Sequence, residues 1–236
     1  MKLIIFIISI LDYYNKKKIV NFFLKKEKSF KVIIDVGAHK AETIKLFNKK
    51  FNVDFIYSFE PSKENYKILR KKTENIKNTK IFNYALGNKN EKKNFYHLKE
   101  SSSSTLVKLN KSSNYYKKKN KILGIFDNSP NIKSEYILEI KTLFDFLNDH
   151  NISFIDLLKI DTEGYELQVI KGAKDKIKNV KYIYFEHHFD DMLIKGYKFS
   201  DIHDYLLTNG FKKRFKIKMF FRKTFEYIYE NQNLIK

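Results

Sequence analysis

The stretch FIDLLKIDTEGYELQVIKGAK, residues 154–174, joins two periodicities through an acidic turn. Phe154 to Ile160 is a short apolar run of the length and composition of a buried strand. Tyr165 to Lys174 places Val169 and Ile170 on one helical face, with Gly172 near the helix end. Between them, Asp161, Glu163 and Glu166 put three carboxylates within six positions. Acids at a strand tip either open the next helix and meet its dipole, or form a working site.

Outward from this unit the same alternation recurs. KVIIDVG (31–37), VDFIYSFE (53–60) and TKIFNYAL (79–86, ended by Gly87) read as strands. Between them lie helices over 41–51, with Ile44, Phe47 and Phe51 at helical spacing, and over 62–75, with Ser62 as N-cap. KKNFYHL (92–98) suggests a hairpin strand, and 101–106 and 110–121 read as polar loops within an insertion over 101–133. A strand over 136–143 and a short helix precede the 154–161 strand. After it come the strand 180–188 and a helix over 200–210, capped by Ser200 and stopped by Gly210. Two final strands, 211–218 and 225–231, are able to pair antiparallel. This order predicts a doubly wound α/β sheet.

The bulk properties set limits. A chain of 236 residues, 43% hydrophobic and 16% aromatic, has the core for one larger α/β domain. The net charge of +20 comes almost wholly from lysine, since arginine occurs only at Arg70, Arg214 and Arg222. Lysine spread over the chain, alongside abundant Asn, Ile, Phe and Tyr, fits an A/T-rich coding bias. Nucleic-acid binders concentrate charge and favour arginine for bidentate contacts, which disfavours nucleic acid as a partner. There is no cysteine, which excludes a disulfide scaffold, a thiolate metal site and a cysteine nucleophile and agrees with a cytoplasmic setting. The apolar run Leu3 to Leu11 is too short for a membrane span of ~20 residues and has no small-residue cleavage site after it. Residues 1–30 read as an N-terminal helical segment that docks on the domain, a partner or a membrane surface.

In open α/β sheets ligands bind beyond the carboxyl ends of the strands. Here those ends carry Asp35-Val-Gly37-Ala38-His39, Glu60-Pro61, Ala85-Leu86-Gly87, Asp161-Thr-Glu163-Gly164 and Glu186-His187-His188. Gly37 supplies a tight turn, but the full dinucleotide fingerprint and the P-loop are absent, which disfavours a nicotinamide oxidoreductase. Glu60, at the end of the second strand, suits both hydroxyls of a ribose. His187 and His188 point to opposite faces of their strand, so at most one faces the site. His39 reads as a loop-shaping residue.

VIIDVGAHKAET, YSFEPSKENYKIL, NYALGN and IDLLKIDTEGYELQVIKGA together resemble the FkbM family of S-adenosylmethionine-dependent methyltransferases, from about residue 31 to 188. The resemblance implies a Rossmann-like class I methyltransferase domain over 31–236, with a seven-stranded sheet and an antiparallel last strand. It places Asp35, Gly37 and Ala38 at the amino-acid end of S-adenosylmethionine and Glu60 at the ribose. Asn83, Ala85 and Leu86 would lie near the adenine, Ser103 and Ser104 along the pocket, and Asp161, Glu163 and Gly164 at the cofactor–substrate junction. The family's usual glycine at position 41 is alanine here, which predicts tighter packing.

An alcohol acceptor must lose a proton, for which Asp161 is the first candidate base and Glu163 and His188 the next. The same acids could hold a divalent cation through oxygen ligands, although no ligand set is fixed by the sequence. The function expected is O-methylation of a sugar, glycan or small biosynthetic product. That acceptor could be anionic, and the lysine-rich YYKKKNK (115–121) would attract it. The alternatives are a nucleic-acid methyltransferase, which lacks its Asn-Pro-Pro-Tyr type motif, and a non-catalytic binding module, against which Glu60 and Asp161 stand.

Overall fold

The structure, a computed structural model, describes residues 2–99, 103–122 and 132–234, and for 2–10, 119, 120 and 122 the backbone alone. The chain begins with α1 (Lys2–Leu24), β1 (Ser29–Val36), α2 (Glu42–Lys50), β2 (Asn52–Phe59), α3 (Lys63–Thr73) and β3 (Thr79–Phe82). It continues through β4 (Ala85–Gly87), β5 (Glu91–Leu98), β6 (Lys108–Leu109), α4 (Asn114–Ile122), β7 (Ile132–Thr142) and α5 (Leu143–Asp149). It closes with β8 (Ile155–Ile160), α6 (Glu166–Lys171), β9 (Val180–His188), β10 (Leu193–Ile194), α7 (Phe199–Thr208), β11 (Phe211–Lys218) and β12 (Thr224–Asn231).

Seven strands form one sheet in the order β11-β12-β9-β8-β1-β2-β3. β1 pairs in parallel with β2 and with β8, β2 with β3, and β8 with β9. β12 runs antiparallel to both β9 and β11. Numbered by appearance within this sheet, the order is 3-2-1-4-5-7-6, so the direction of winding reverses between β1 and β8. This is the class I methyltransferase fold the sequence predicts, with the last strand as the reversed one.

The apolar runs are continuous because both faces of the sheet are covered. Neighbouring residues separate cleanly. Ile33 and Leu157 join Phe23 of α1 and Ile44 and Phe47 of α2 in one core. Ile34 and Leu158 join Phe146 of α5 and Val169 and Ile170 of α6 in the other. The second half of α1 therefore belongs to the packed structure: Ile19, Val20 and Phe23 are all buried. No helix among the described residues is long and apolar enough to cross a membrane.

Four expectations need correction. The strand over 79–86 is two strands. Asn83 Nδ2 donates to the carbonyls of Glu60 (2.8 Å) and Pro61 (3.3 Å), and the chain turns there. β4 then leaves the main sheet and pairs with β7, beside β5, in a three-stranded sheet. β5 pairs antiparallel along its length with that distant β7, and its hairpin-like contact is a single bridge between Tyr96 and Thr105 among the described residues. Residues 110–121 are not all loop, because Ser113 Oγ accepts from the Tyr115 and Tyr116 N–H groups and starts α4. Finally, α7 is capped at Lys198, whose N–H donates to Asp201 (2.7 Å), and not at Ser200. Part of the expected 101–133 insertion (101, 102 and 123–131) lies outside the described residues.

Candidate active site

The ends of β1, β2, β8 and β9 and the segment around β4 open onto one cavity of about 870 Å³, in the upper part of the ~300–1,000 Å³ range of small-molecule pockets. Gly37 allows the chain to pass close to Asp161 just beyond the paired ends of β1 and β8. Its φ is +83°, and a Cβ there would stand 1.8 Å from the Asp161 carbonyl oxygen. Gly37, Ala38, Glu60, Ala85, Leu86, Ser103, Ser104, Asp161, Glu163 and His188 all line the cavity, as the sequence predicts.

Two predicted cofactor residues do not. Asn83 is exposed and spends its amide on the carbonyls at the end of β2. Asp35 is fully buried behind the wall, where it faces Lys159. Gly164 is likewise off the wall. Its N–H donates to Glu166, whose carboxylate also accepts from Thr162 (3.0 Å) and Tyr197 (2.5 Å). Of the three acids that open the question, Glu166 therefore holds the turn together, and Asp161 and Glu163 face the cavity.

Glu60 is 5% exposed and accepts from the N–H groups of His39 (2.8 Å) and Ser62 (2.9 Å). Burial pushes its carboxyl up to about 7 despite these bonds. A carboxylate offers about four acceptor directions, and the Asn65 side chain also bonds Glu60, so capacity remains for a ligand hydroxyl. His39 also lies 3.3 Å from Glu42, in the loop-shaping position expected.

Lys159 was missed in the sequence, although a lysine inside an apolar strand was a signal. It is 6% exposed, and its Nζ stands 3.1 Å from Asp35 and 3.6 Å from Asp161 and donates to the Gly37 carbonyl (3.0 Å). Burial opposes its charge, but Asp35 and Asp161 outweigh that and raise its pKa. Asp161 is 39% exposed at its side chain. Desolvation raises it above the ordinary carboxylate range, against the pull of Lys159.

Further along the wall, His188 Nε2 lies 3.0 Å from Glu163 Oε2 and 3.3 Å from Glu186 Oε1. Its Nδ1 faces Asp190 at 3.3 Å and Thr224 at 3.2 Å. Burial opposes a charge on His188, yet Glu163 and the other carboxylates override it and hold the imidazole well above its ordinary value. Glu226 from β12 accepts from the Tyr184 hydroxyl (2.6 Å) and is pushed up to about 8, chiefly by burial and then by Glu186. His187 points to the opposite face, among Phe189, Tyr197 and Phe199, where burial depresses it to about 3. Further parts of the wall come from α1 (Asp12, Lys16), α4 (Tyr115, Lys118) and the turn Met219–Lys223. None of these was a sequence candidate except the lysine-rich run. Lys118 of that run reaches the cavity, and the Lys119 side chain lies outside the described residues.

Ala41 is fully buried at φ 74° and ψ 20°, a left-handed conformation. Alanine there carries a torsional cost of about 1–2 kcal/mol for an L-residue, besides the tight packing that the sequence predicts.

The sequence matches the family described as the methyltransferase FkbM domain over residues 35–213. The chain belongs to the FkbM methyltransferase family. No curated protein matches it. Among solved structures, the FkbM methyltransferase of Methylobacillus flagellatus KT is 15% identical, with a TM-score of 0.52 over 86% of this chain and 44% of that one. The chain thus spans less than half of that relative's length. TrmK of M. capricolum in complex with S-adenosyl-homocysteine is 10% identical, with a TM-score of 0.51 over 90% of this chain and 67% of that one. Magnesium protoporphyrin IX methyltransferase from Synechocystis PCC 6803, with bound SAM, is 8% identical, with a TM-score of 0.52 over 94% and 81%. At these identities the likeness is one of fold.

The FkbM methyltransferase domain implies S-adenosylmethionine as the cofactor. Its residues fit that cofactor. Gly37, where a side chain would collide with the Asp161 carbonyl, and Ala38 keep the β1 end of the cavity bare, Phe59, Ala85 and Leu86 supply an apolar wall, and Glu60 supplies the acid at the β2 end.

Proposed function

We propose that this FkbM chain methylates a hydroxyl of a sugar or other small biosynthetic product. The observation that carries the reading is the row of acids, Glu60, Asp161, Glu163 and Glu186, on one cavity at the strand ends of a methyltransferase fold. When bound, the cofactor supplies a methyl group on a cationic sulfur. Glu60 would hold the ribose, with Gly37, Ala38, Ala85 and Leu86 shaping the rest of that end. The acceptor would enter beside Asp161. Asp161 would take the proton of the acceptor hydroxyl as that oxygen receives the methyl group. Lys159 keeps Asp161 placed, and desolvation makes it a stronger base than a free carboxylate. Lys118 on the wall suits an anionic acceptor such as a nucleotide-linked sugar, in keeping with a cytoplasmic step.

Calorimetry with S-adenosylhomocysteine, with NADH as control, tests the cofactor half. Micromolar binding is expected for the wild type, with loss in Glu60→Ala. Asp161→Asn is expected to bind the product with unchanged affinity but to lose transfer by roughly 10²–10⁴-fold, the range of a general base. Neutral and nucleotide-linked sugars serve as acceptors. Tight NADH binding, or equal turnover by Asp161→Asn, would overturn the reading.

A further inference from the structure

We propose that Glu163, Glu186 and His188 form a site for one divalent first-row cation, next to Asp161 in the same cavity. One donor atom from each of the three lies within 4.8 Å of the others. The distances from His188 Nε2 to the two carboxylates, 3.0 and 3.3 Å, match the spacing of adjacent ligands around an octahedral ion. Bonds of about 2.1–2.3 Å at right angles set such ligands about 3.0–3.3 Å apart.

A group of acids does not by itself make a metal site. The histidine is the deciding observation. His188 is 6% exposed, and its Nε2 is fully buried without an aligned hydrogen bond, as is Glu163 Oε2. The two atoms face each other closely but are not set as donor and acceptor. On the other side of the ring, Asp190 accepts only, and it is itself fixed by the Met192 N–H (3.0 Å). A carboxylate behind one ring nitrogen of a metal-bound histidine sets the tautomer and turns the other lone pair toward the ion. Thr224, also 3.2 Å from Nδ1, completes that support.

The neighbouring cations are engaged elsewhere. Lys159 is held by Asp35 and Asp161, and Arg222 by Asp12 at 2.7 Å. Among the described residues, neither Glu163 nor Glu186 has an ion pair with a lysine or arginine. The backbone reinforces the placement. Glu163 sits at φ 51°, held by Thr105 donating to its carbonyl (2.6 Å), a strained position of the kind found at working sites. The donor set, one imidazole and two carboxylates, suits Mn²⁺, Fe²⁺, Co²⁺ or Zn²⁺, and leaves coordination positions open.

The catalytic consequence rests on the proposed O-methylation. An acceptor with two adjacent oxygens would bind the ion through both, which lowers the pKa of the hydroxyl to be methylated. Its proton then goes to Asp161, and Glu163 and His188 serve as ligands and not as bases. The binding itself does not depend on that reading.

The test is a titration of the full, EDTA-treated chain with Mn²⁺ alone, followed by loss of the free Mn²⁺ resonance. One Mn²⁺ per chain with a micromolar Kd is expected. Glu186→Gln and Glu163→Gln should each weaken it at least tenfold. Glu226→Gln, which alters an acid of the same cavity outside the three, should shift it less than threefold. If the wild type takes up no stoichiometric Mn²⁺, or if Glu226→Gln matters as much as Glu186→Gln, the three residues are an ion-paired cluster and the proposal fails. The wild-type titration decides even if a variant does not fold. S-adenosylhomocysteine calorimetry on the same sample separates the two readings. Mn²⁺ without the nucleoside leaves the metal site standing and removes the proposed transfer, and the nucleoside without Mn²⁺ does the reverse.

Discussion

Glu226 shows what burying an acid costs the folded chain. Its folded pKa is about 8, against an ordinary 4.5, so the folded chain holds a proton across that interval that the unfolded chain releases. The stability this proton gives is complete below about pH 4.5 and is lost as pH rises through about 8. Glu226→Gln does not titrate. In EDTA, urea unfolding at about pH 5 and pH 9 should show the variant gaining on the wild type as pH rises. An equal difference at both values would contradict the buried-acid account. The sequence made some of this chemistry readable and hid the rest. Asp161, Glu163 and His188 were legible because strand ends are where such acids work. Glu226 was not, since nothing local says that an acid on a terminal hairpin returns to the centre of the sheet. The family resemblance puts Asp35 at the cofactor, yet alternation along β1 sends its side chain inward to Lys159.

Among the elements, α1 is anchored to the sheet through the ring of Phe23. Phe23 is fully buried with its ring against Phe30, Phe47 and Tyr182. Phe23→Ala should cost about 3–5 kcal/mol, as for other buried aromatics. A loss below about 1 kcal/mol by denaturant unfolding would mean that α1 is only loosely laid on the sheet. The strands were legible because their runs are β-branched, buried on both faces and ended by glycine or an acid. The division of β3 from β4 was not, because β4 finds its partner in β7, more than fifty residues further on, and partner choice leaves no local mark. α4 was hidden by its lysines, which dilute the apolar pattern; Ser113 and the buried Tyr116 are its only sequence traces.

For the whole molecule, the pair Asp35–Lys159 joins the two halves of the sheet at the point where the winding reverses. Removing one partner of a buried pair leaves an uncompensated charge, so Lys159→Met should destabilise the chain by about 3–5 kcal/mol. Adding Asp35→Leu should restore most of the loss, because an apolar pair of similar volume is often as stable. A double variant no better than the single one would show that the charge was not the cause. If the pair adds so little net stability, its value lies elsewhere. Asp35 and Lys159 are direct partners in the β1–β8 register. A slip of one residue would set each against an aliphatic neighbour in a strand of near-identical Ile, Leu and Val. Greasy strands alone cannot tell one alignment from the next. A single acid and a single base, one on each strand, act as a key and its ward, so that the two halves of the chain can close in only one alignment.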